Sequence, residues 1–296
     1  AWFPILNDGT YDILPDATRV LAGGVFVNAQ FYLPVLGIAG FSKSTGTYPP
    51  LGVFLRKSDG TNASWSIDGP NVAQFATGFP PGVPPNWQAK GVGDINGDGI
   101  TDVVWFQPSS GLVAIWLMNS TIGVTTATFP ASVGAGSPWA IAAIGDMNGD
   151  GRADLVWRHG VSGEVLIWYM SATGTIGSTK SLGTVSLTYE IRGVGDFNGD
   201  GIDDILWIHP SDGVVVIYLM NANGTFAGAF PGAVGPGSWR PYKVGDFDGD
   251  GKADIFWRNE ANGLTVVWYM NGGVLAAYDF FVSVPLASWQ LGRVDD

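Results

Sequence analysis

The chain contains no cysteine. That excludes a disulfide framework, thiolate catalysis and a cysteine-ligated zinc site. Histidine is nearly absent too, with only His159 and His209. Lys and Arg number 14 against 26 Asp and Glu, a net charge of −12. This balance argues against nucleic acid as a partner. Charged residues make up only 14% of the chain. No apolar run reaches the ~20 residues that a membrane-spanning helix needs. Neither a Gly-x-Ser-x-Gly elbow, nor a Walker loop, nor a dinucleotide fingerprint occurs.

Glycine, by contrast, is abundant at 44 residues, and aromatics form 13% of the chain, with 13 Trp. A hydrophobic fraction of 46% is ample for a core. Together these fit an all-β, turn-rich protein in a single domain.

One nine-residue pattern is written four times: Asp94–Asp102, Asp146–Asp154, Asp196–Asp204 and Asp246–Asp254. Each copy reads Asp-x-Asn/Asp-Gly-Asp-Gly-x-x-Asp. Oxygen-bearing side chains stand at positions 1, 3, 5 and 9, and position 7 would add a backbone carbonyl. The candidate ligands are Asp94, Asn96, Asp98, Ile100 and Asp102; Asp146, Asn148, Asp150, Arg152 and Asp154; Asp196, Asn198, Asp200, Ile202 and Asp204; and Asp246, Asp248, Asp250, Lys252 and Asp254. Ile100, Arg152, Ile202 and Lys252 enter through their carbonyls.

Hard oxygen donors in a tight loop suit Ca²⁺, which takes six to eight of them, better than octahedral Mg²⁺. Asn-Gly and Asp-Gly also mark metal-free hairpin turns, but four copies with every oxygen position filled argue against that. An EF-hand needs Glu at position 12 and flanking helices. Position 12 here is Trp105, Trp157, Trp207 or Trp257, and the flanks are β-type runs such as Val103-Val104-Trp105-Phe106. The ligand positions hold 13 of the 26 acids, so the acidity of the chain is mostly metal-loop chemistry.

The loops lie 52, 50 and 50 residues apart, and other residues keep their phase. Counted from each first Asp, an aromatic sits at −7 (Trp87, Trp139, Tyr189, Trp239), Trp at +11 and Gly at +17. A second aromatic sits at +22 (Trp116, Trp168, Tyr218, Trp268) and Met at +24 (Met118, Met170, Met220, Met270). Such a period implies a repeat architecture. Each unit reads as four short strands, in the first about 88–93, 103–106, 112–118 and 124–129. The middle two lack polar alternation and should be buried on both faces. Four-stranded units of this length fit β-propeller blades.

Gly195-Asp-Phe-Asn-Gly-Asp-Gly201, then Asp204-Ile-Leu-Trp207 and Ile217-Tyr-Leu-Met-Asn221, resemble FG-GAP/VCBS repeats. These build integrin-α-like β-propellers and fungal and bacterial propeller lectins. The resemblance covers Trp87 to Asp296. It implies one calcium per full loop, on outer blade-edge loops. It leaves function open, since such repeats serve adhesion, sugar binding and enzyme scaffolds.

Asp8-Gly9-Thr10-Tyr11-Asp12 aligns with the end of a metal loop, and Trp289–Asp296 aligns with Trp87–Asp94. The C-terminal strand is therefore expected to close the ring beside the N-terminal strands. A fifth, split calcium site at Asp296, Asp8 and Asp12 is a further candidate. Residues 32–86 read as a degenerate blade. Its loop region, Phe41 to Tyr48, has no acids and should bind no calcium. The expected units are 289–296 with 1–31, then 32–86, 87–138, 139–188, 189–238 and 239–288. That makes six blades, with seven as the alternative.

Most aromatics follow the repeat and belong to the blade core. The functional alternative is sugar stacking, with polar partners at +12 and +13: Gln107, Arg158, His159, His209, Arg258 and Asn259. Both histidines stand at +13, as variants of one repeat position rather than a catalytic pair. No catalytic residue is assigned.

The expected function is a secreted, extracellular calcium-binding module that recognises a glycan or cell-surface carbohydrate. An integrin-head-type protein adhesion module is the alternative, and a lyase or dehydratase on the propeller scaffold is a third. The start carries no signal-peptide pattern and reads as a mature or trimmed secreted chain. Asn62-Ala-Ser, Asn119-Ser-Thr and Asn223-Gly-Thr are glycosylation acceptor triplets.

Overall fold

In a computed structural model, residues 83, 84, 86–119 and 123–281 are described in full, with the backbone of strands in 35–77. The architecture is all-β, in four-stranded antiparallel sheets. The first sheet comprises β1 (Val35–Ile38), β2 (Leu51–Arg56), β3 (Asn62–Asp68) and β4 (Val72–Thr77). Four blades phased to the nine-residue acidic loops follow. Blade 1 is β5 (Gln88–Gly93), β6 (Asp102–Gln107), β7 (Leu112–Met118) and β8 (Val124–Thr128). Blade 2 is β9 (Trp139–Gly145), β10 (Asp154–His159), β11 (Glu164–Met170) and β12 (Ile176–Thr184). Blade 3 is β13 (Glu190–Gly195), β14 (Asp204–His209), β15 (Val214–Met220) and β16 (Phe226–Ala233). Blade 4 is β17 (Trp239–Gly245), β18 (Asp254–Asn259), β19 (Thr265–Asn271) and β20 (Val274–Phe281).

Within every sheet the strands pair in sequence order. Between sheets the first strands are neighbours: β1 with β5, β5 with β9, β9 with β13 and β13 with β17. The first strands therefore line the axis, the arrangement of a β-propeller. Each nine-residue acidic loop joins the innermost strand to the second. That corrects the outer-edge placement implied by the resemblance.

Alternation along the second and third strands explains their continuous hydrophobicity. In β6, Val104 and Phe106 face blade 2 and pack with Leu155, Trp157 and Trp168. Val103 and Trp105, one residue out of phase, pack on the other face with Val83, Ala114 and Met118. Both faces are covered, so neither set of positions is polar. The same seams recur between blades 2 and 3, around Met147, Ile167, Trp207 and Met220, and between blades 3 and 4, around Phe197, Ile217, Trp257 and Met270.

The residue at loop position 2 plugs each seam. Ile95, Met147 and Phe197 are all fully buried. The glycines before loops 1, 2 and 3 permit close approach of the next blade. A Cβ on Gly93 would lie 2.6 Å from the Cβ of Ala153.

The expectation of six blades, or seven, is corrected. The described residues hold four repeat-phased blades beside the sheet over 35–77, and no closed ring. The strand expected to close it, from 289–296 with 1–31, lies outside the described residues, as does the split site at Asp296, Asp8 and Asp12. Among the described residues no helix is long and apolar enough to cross a membrane.

Candidate metal centres and the opposite rim

Each loop folds around its first carboxylate. Asp94 Oδ1 accepts the N–H groups of Gly97 (2.8 Å) and Asp98 (3.1 Å), and Oδ2 accepts that of Gly99 (2.7 Å). Asp146, Asp196 and Asp246 hold Gly149 and Gly151, Gly199 and Gly201, and Gly249 and Gly251 in the same way. Two glycines are needed because both loop positions are left-handed, with φ of 78° at Gly97 and 82° at Gly99.

Position 9 ties the loop to the rest of its blade. Asp102, Asp154, Asp204 and Asp254 are 0% exposed. One oxygen of each accepts the N–H of the position-2 plug: Ile95 at 2.9 Å, Met147 at 3.0 Å, Phe197 at 2.9 Å and Phe247 at 2.8 Å. The other accepts the N–H of the methionine at +24: Met118, Met170, Met220 and Met270, at 2.8, 2.8, 2.7 and 2.9 Å. The bond is made by the backbone at +24, near the end of the third strand. Burial pushes Asp102, Asp154 and Asp204 up to about 7, against the pull of these two N–H bonds. The carboxylates at positions 1 and 5 push the same way, and Asp254 is raised by burial with the carboxylates of Asp248 and Asp246 beside it.

Position 5 divides the loops into two kinds. In every loop one of its oxygens accepts the N–H of position 7. The other takes the side-chain amide of Asn96 (2.9 Å) in loop 1 and of Asn198 (3.1 Å) in loop 3. In loop 2 it pairs with the Arg152 guanidinium, and in loop 4 with the Lys252 ammonium at 2.8 Å.

The donors are all oxygen, the chemistry calcium requires. In loop 4, oxygens of Asp246, Asp248 and Asp254 lie within 4.8 Å of one another. The cations of Arg152 and Lys252 already stand against position 5. Positions 1, 3, 5 and 9 therefore offer the donors that would hold a hard divalent ion, and in loop 4 those of positions 1, 3 and 9 lie within reach of one another.

The loops also join the blades. The N–H of position 8 donates to the carbonyl of position 1 in the preceding loop: Ala153 to Asp94, Asp203 to Asp146 and Ala253 to Asp196, each at 2.7 Å. Asp203 adds a second bond, its Oδ2 accepting the Asp146 N–H at 2.9 Å. Neither this seam ladder, nor the position-2 plugs, nor the role of the Arg152 and Lys252 side chains was read from the sequence. Asp203 is the one acid at a position held elsewhere by Thr101, Ala153 and Ala253, and that break in the repeat was the available signal.

The +12 and +13 residues lie at the other end of the strands. Arg158 turns into the seam between blades 2 and 3. Its guanidinium donates to the carbonyls of Gly163, Val185 (2.7 Å) and Ser186 (3.0 Å) and lies 5.1 Å from the Trp207 ring. Arg258 is 2% exposed, with its guanidinium 5.8 Å from the Tyr242 ring. Both arginines thus serve packing between strands and blades.

The +13 side chains sit on the rim and hold the turn that follows them. His159 Nδ1 accepts the N–H of Ser162 at 2.9 Å, Asn259 Oδ1 accepts that of Ala261 at 2.9 Å, and Gln107 Oε1 accepts the Ser110 hydroxyl. His209 Nδ1 lies 2.8 Å from Asp212 Oδ1. Three of them are also brought to the −7 aromatic of their blade. His159 is opposite Trp139, with ring centroids 4.8 Å apart, and Asn259 is opposite Trp239. The His209 and Tyr189 centroids are 4.9 Å apart.

Comparison with known proteins agrees with this architecture. Residues 94–157 and 196–257 match the FG-GAP-like repeat. No curated protein matches the chain. Among solved structures, the chain is similar to an Agrocybe aegerita lectin that recognises non-reducing terminal N-acetylglucosamine. The identity is 20%, the TM-score 0.57, and the match covers 79% of this chain and 63% of that one. The chain thus spans less than two thirds of that lectin's length. A protein from Lactobacillus plantarum shares 14% identity with a TM-score of 0.46, over 84% of this chain and 72% of that one. The chain carries FG-GAP-like repeats in a β-propeller arrangement.

Proposed function

We propose that this chain is a secreted, calcium-binding β-propeller that binds carbohydrate through repeated sites on its blades. The observation that carries the reading is a pairing repeated on one rim. An aromatic ring meets a histidine in two successive blades, Trp139 with His159 and Tyr189 with His209, and in the next Trp239 stands opposite Asn259 in the strand register. An aromatic face packs against the C–H face of a pyranose, and the polar partner takes a hydroxyl. His159 Nδ1 accepts backbone N–H groups, so its proton is on Nε2, which serves as a donor. The Asp212 carboxylate only accepts, so His209 Nδ1 donates to it and Nε2 is left for a ligand. Several weak, similar sites gain useful affinity through avidity. The shared fold of the Agrocybe aegerita lectin supports the same class of ligand.

Calcium is the expected resident ion. It would neutralise carboxylates that repel one another, so its binding free energy becomes folding free energy. Loops of this kind fill at the ~10⁻⁴–10⁻³ M calcium found outside cells, which supports an extracellular role. The exposed Phe230 (74%) on β16 favours a second reading, docking of a protein partner on the outer strands.

A glycan and polysaccharide array, run in millimolar calcium with a chelated parallel, tests the proposal. Binding to one sugar class is the expected result. A blank array from folded protein would overturn it in favour of the protein partner.

A further inference from the structure

We propose that Arg152 and Lys252 are tethered competitors for calcium, so that the four loops fill in sequence and loop 2 fills last. The inference rests on the calcium reading above and goes beyond it to the regulation of those sites.

Each side chain holds a carboxylate oxygen that a divalent ion in its loop would need. Arg152 pairs with Asp150, the position-5 carboxylate of its own loop, and its Nε is also anchored on the Met170 carbonyl at 3.1 Å. Lys252 pairs with Asp250 at 2.8 Å. In loops 1 and 3, position 7 is Ile100 and Ile202, which bring no charge. There the position-5 carboxylate holds only a neutral amide, from Asn96 or Asn198. That amide also carries an oxygen, which accepts the N–H of position 5. A guanidinium or ammonium has no oxygen to offer and must leave.

Charge ranks the loops further. Loop 4 offsets Lys252 with Asp248, a carboxylate where the other loops have Asn. Loop 2 has three carboxylates, a fixed cation and no such offset, so it is the weakest. A unit charge ~6 Å from a divalent ion in a water-like medium changes its binding by about tenfold. Salt reduces that effect, since these pairs are partly exposed.

The competitors also sit at blade boundaries. A Cβ on Gly97 of loop 1 would lie 3.0 Å from Arg152 Cγ, and one on Gly199 of loop 3 would lie 3.5 Å from Lys252 Cγ. An ion entering loop 2 therefore displaces a head group whose stem lies on loop 1. Filling of the last loop is coupled to the seam between blades 1 and 2.

The test is calcium titration of the full chain by calorimetry, with folding checked by circular dichroism. The variants are Arg152→Met and Lys252→Met, which keep the apolar stem, and Ile100→Lys, which introduces a competitor. The expected wild-type isotherm is stepwise, with one weakest ion. Arg152→Met should tighten that ion about five- to tenfold, Lys252→Met should tighten another, and Ile100→Lys should weaken a formerly tight one. Four equivalent ions, with each variant within about twofold of wild type, would overturn the competitor role while leaving calcium binding intact. Absence of any calcium binding by folded wild-type protein would instead overturn the calcium reading, and this inference with it.

Discussion

Asp203 and Asp146 are bonded to each other twice across the seam between blades 2 and 3. The Asp203 N–H donates to the Asp146 carbonyl at 2.7 Å, and the Asp146 N–H donates to Asp203 Oδ2 at 2.9 Å. Seams 1–2 and 3–4 have only the first of these bonds, from Ala153 and Ala253. The second bond is an addition by one side chain to a shared ladder.

Replacing Asp203 therefore separates the two bonds. Asp203→Ala makes this seam like its neighbours and leaves the Asp146 N–H without its acceptor. Loss of such a bond costs about 1–3 kcal/mol, and the melting temperature should fall by a few degrees. Asp203→Asn keeps an acceptor oxygen and should recover most of the loss. Equal melting temperatures for wild type and Asp203→Ala would show that the second bond adds nothing to the seam.

Stability without calcium should fall as pH rises. Burial raises Asp102, Asp154 and Asp204 to about 7 in the fold, above the ~3.9 of an unfolded Asp. The folded state then holds more protons than the unfolded state between these values. Its contribution is fully present below pH ~4 and is lost as pH passes through about 7. In chelator, thermal melts from pH 5 to pH 8 should move steadily downward. In millimolar calcium the ion should favour the ionised form and flatten or reverse the trend. A chelated protein that is most stable at pH 8 would contradict the raised values.

The repeat made the blades legible because each structural device recurs at a fixed offset. Four strands per unit, Trp at +11 and Met at +24 all took the places the sequence assigned. Met118 and Asp102 show the limit of that reading. Their offset was plain, but the bond from the Met118 backbone N–H to the Asp102 carboxylate leaves no mark on the choice of side chain. Ile95, Met147 and Phe197 vary freely within the apolar class, so position 2 looked like an unconstrained x until the seam was seen. Arg158 and His159 were adjacent and equally polar. Only strand alternation and the carbonyls of Val185 and Ser186 draw Arg158 into the seam while His159 stays on the rim. Blade number rested on the two ends of the chain, where the repeat is fragmentary.

The rim reading can be separated from stability by a substitution the protein already uses. At +13, His159 caps its turn through Nδ1 and Asn259 caps the equivalent turn through Oδ1. His159→Asn should therefore preserve the cap and leave the melting temperature within about a degree, as expected for a surface change that keeps its hydrogen bond. It removes the imidazole that lies edge-on to Trp139, together with the Nε2–H donor. If blade 2 carries a sugar site there, binding by glycan array or calorimetry should weaken with no change in the calcium isotherm. Trp139→Ala should weaken it more, at some cost in stability, because the ring also packs against the core between blades 1 and 2. Unchanged sugar binding in a folded His159→Asn protein would move the ligand off this rim position.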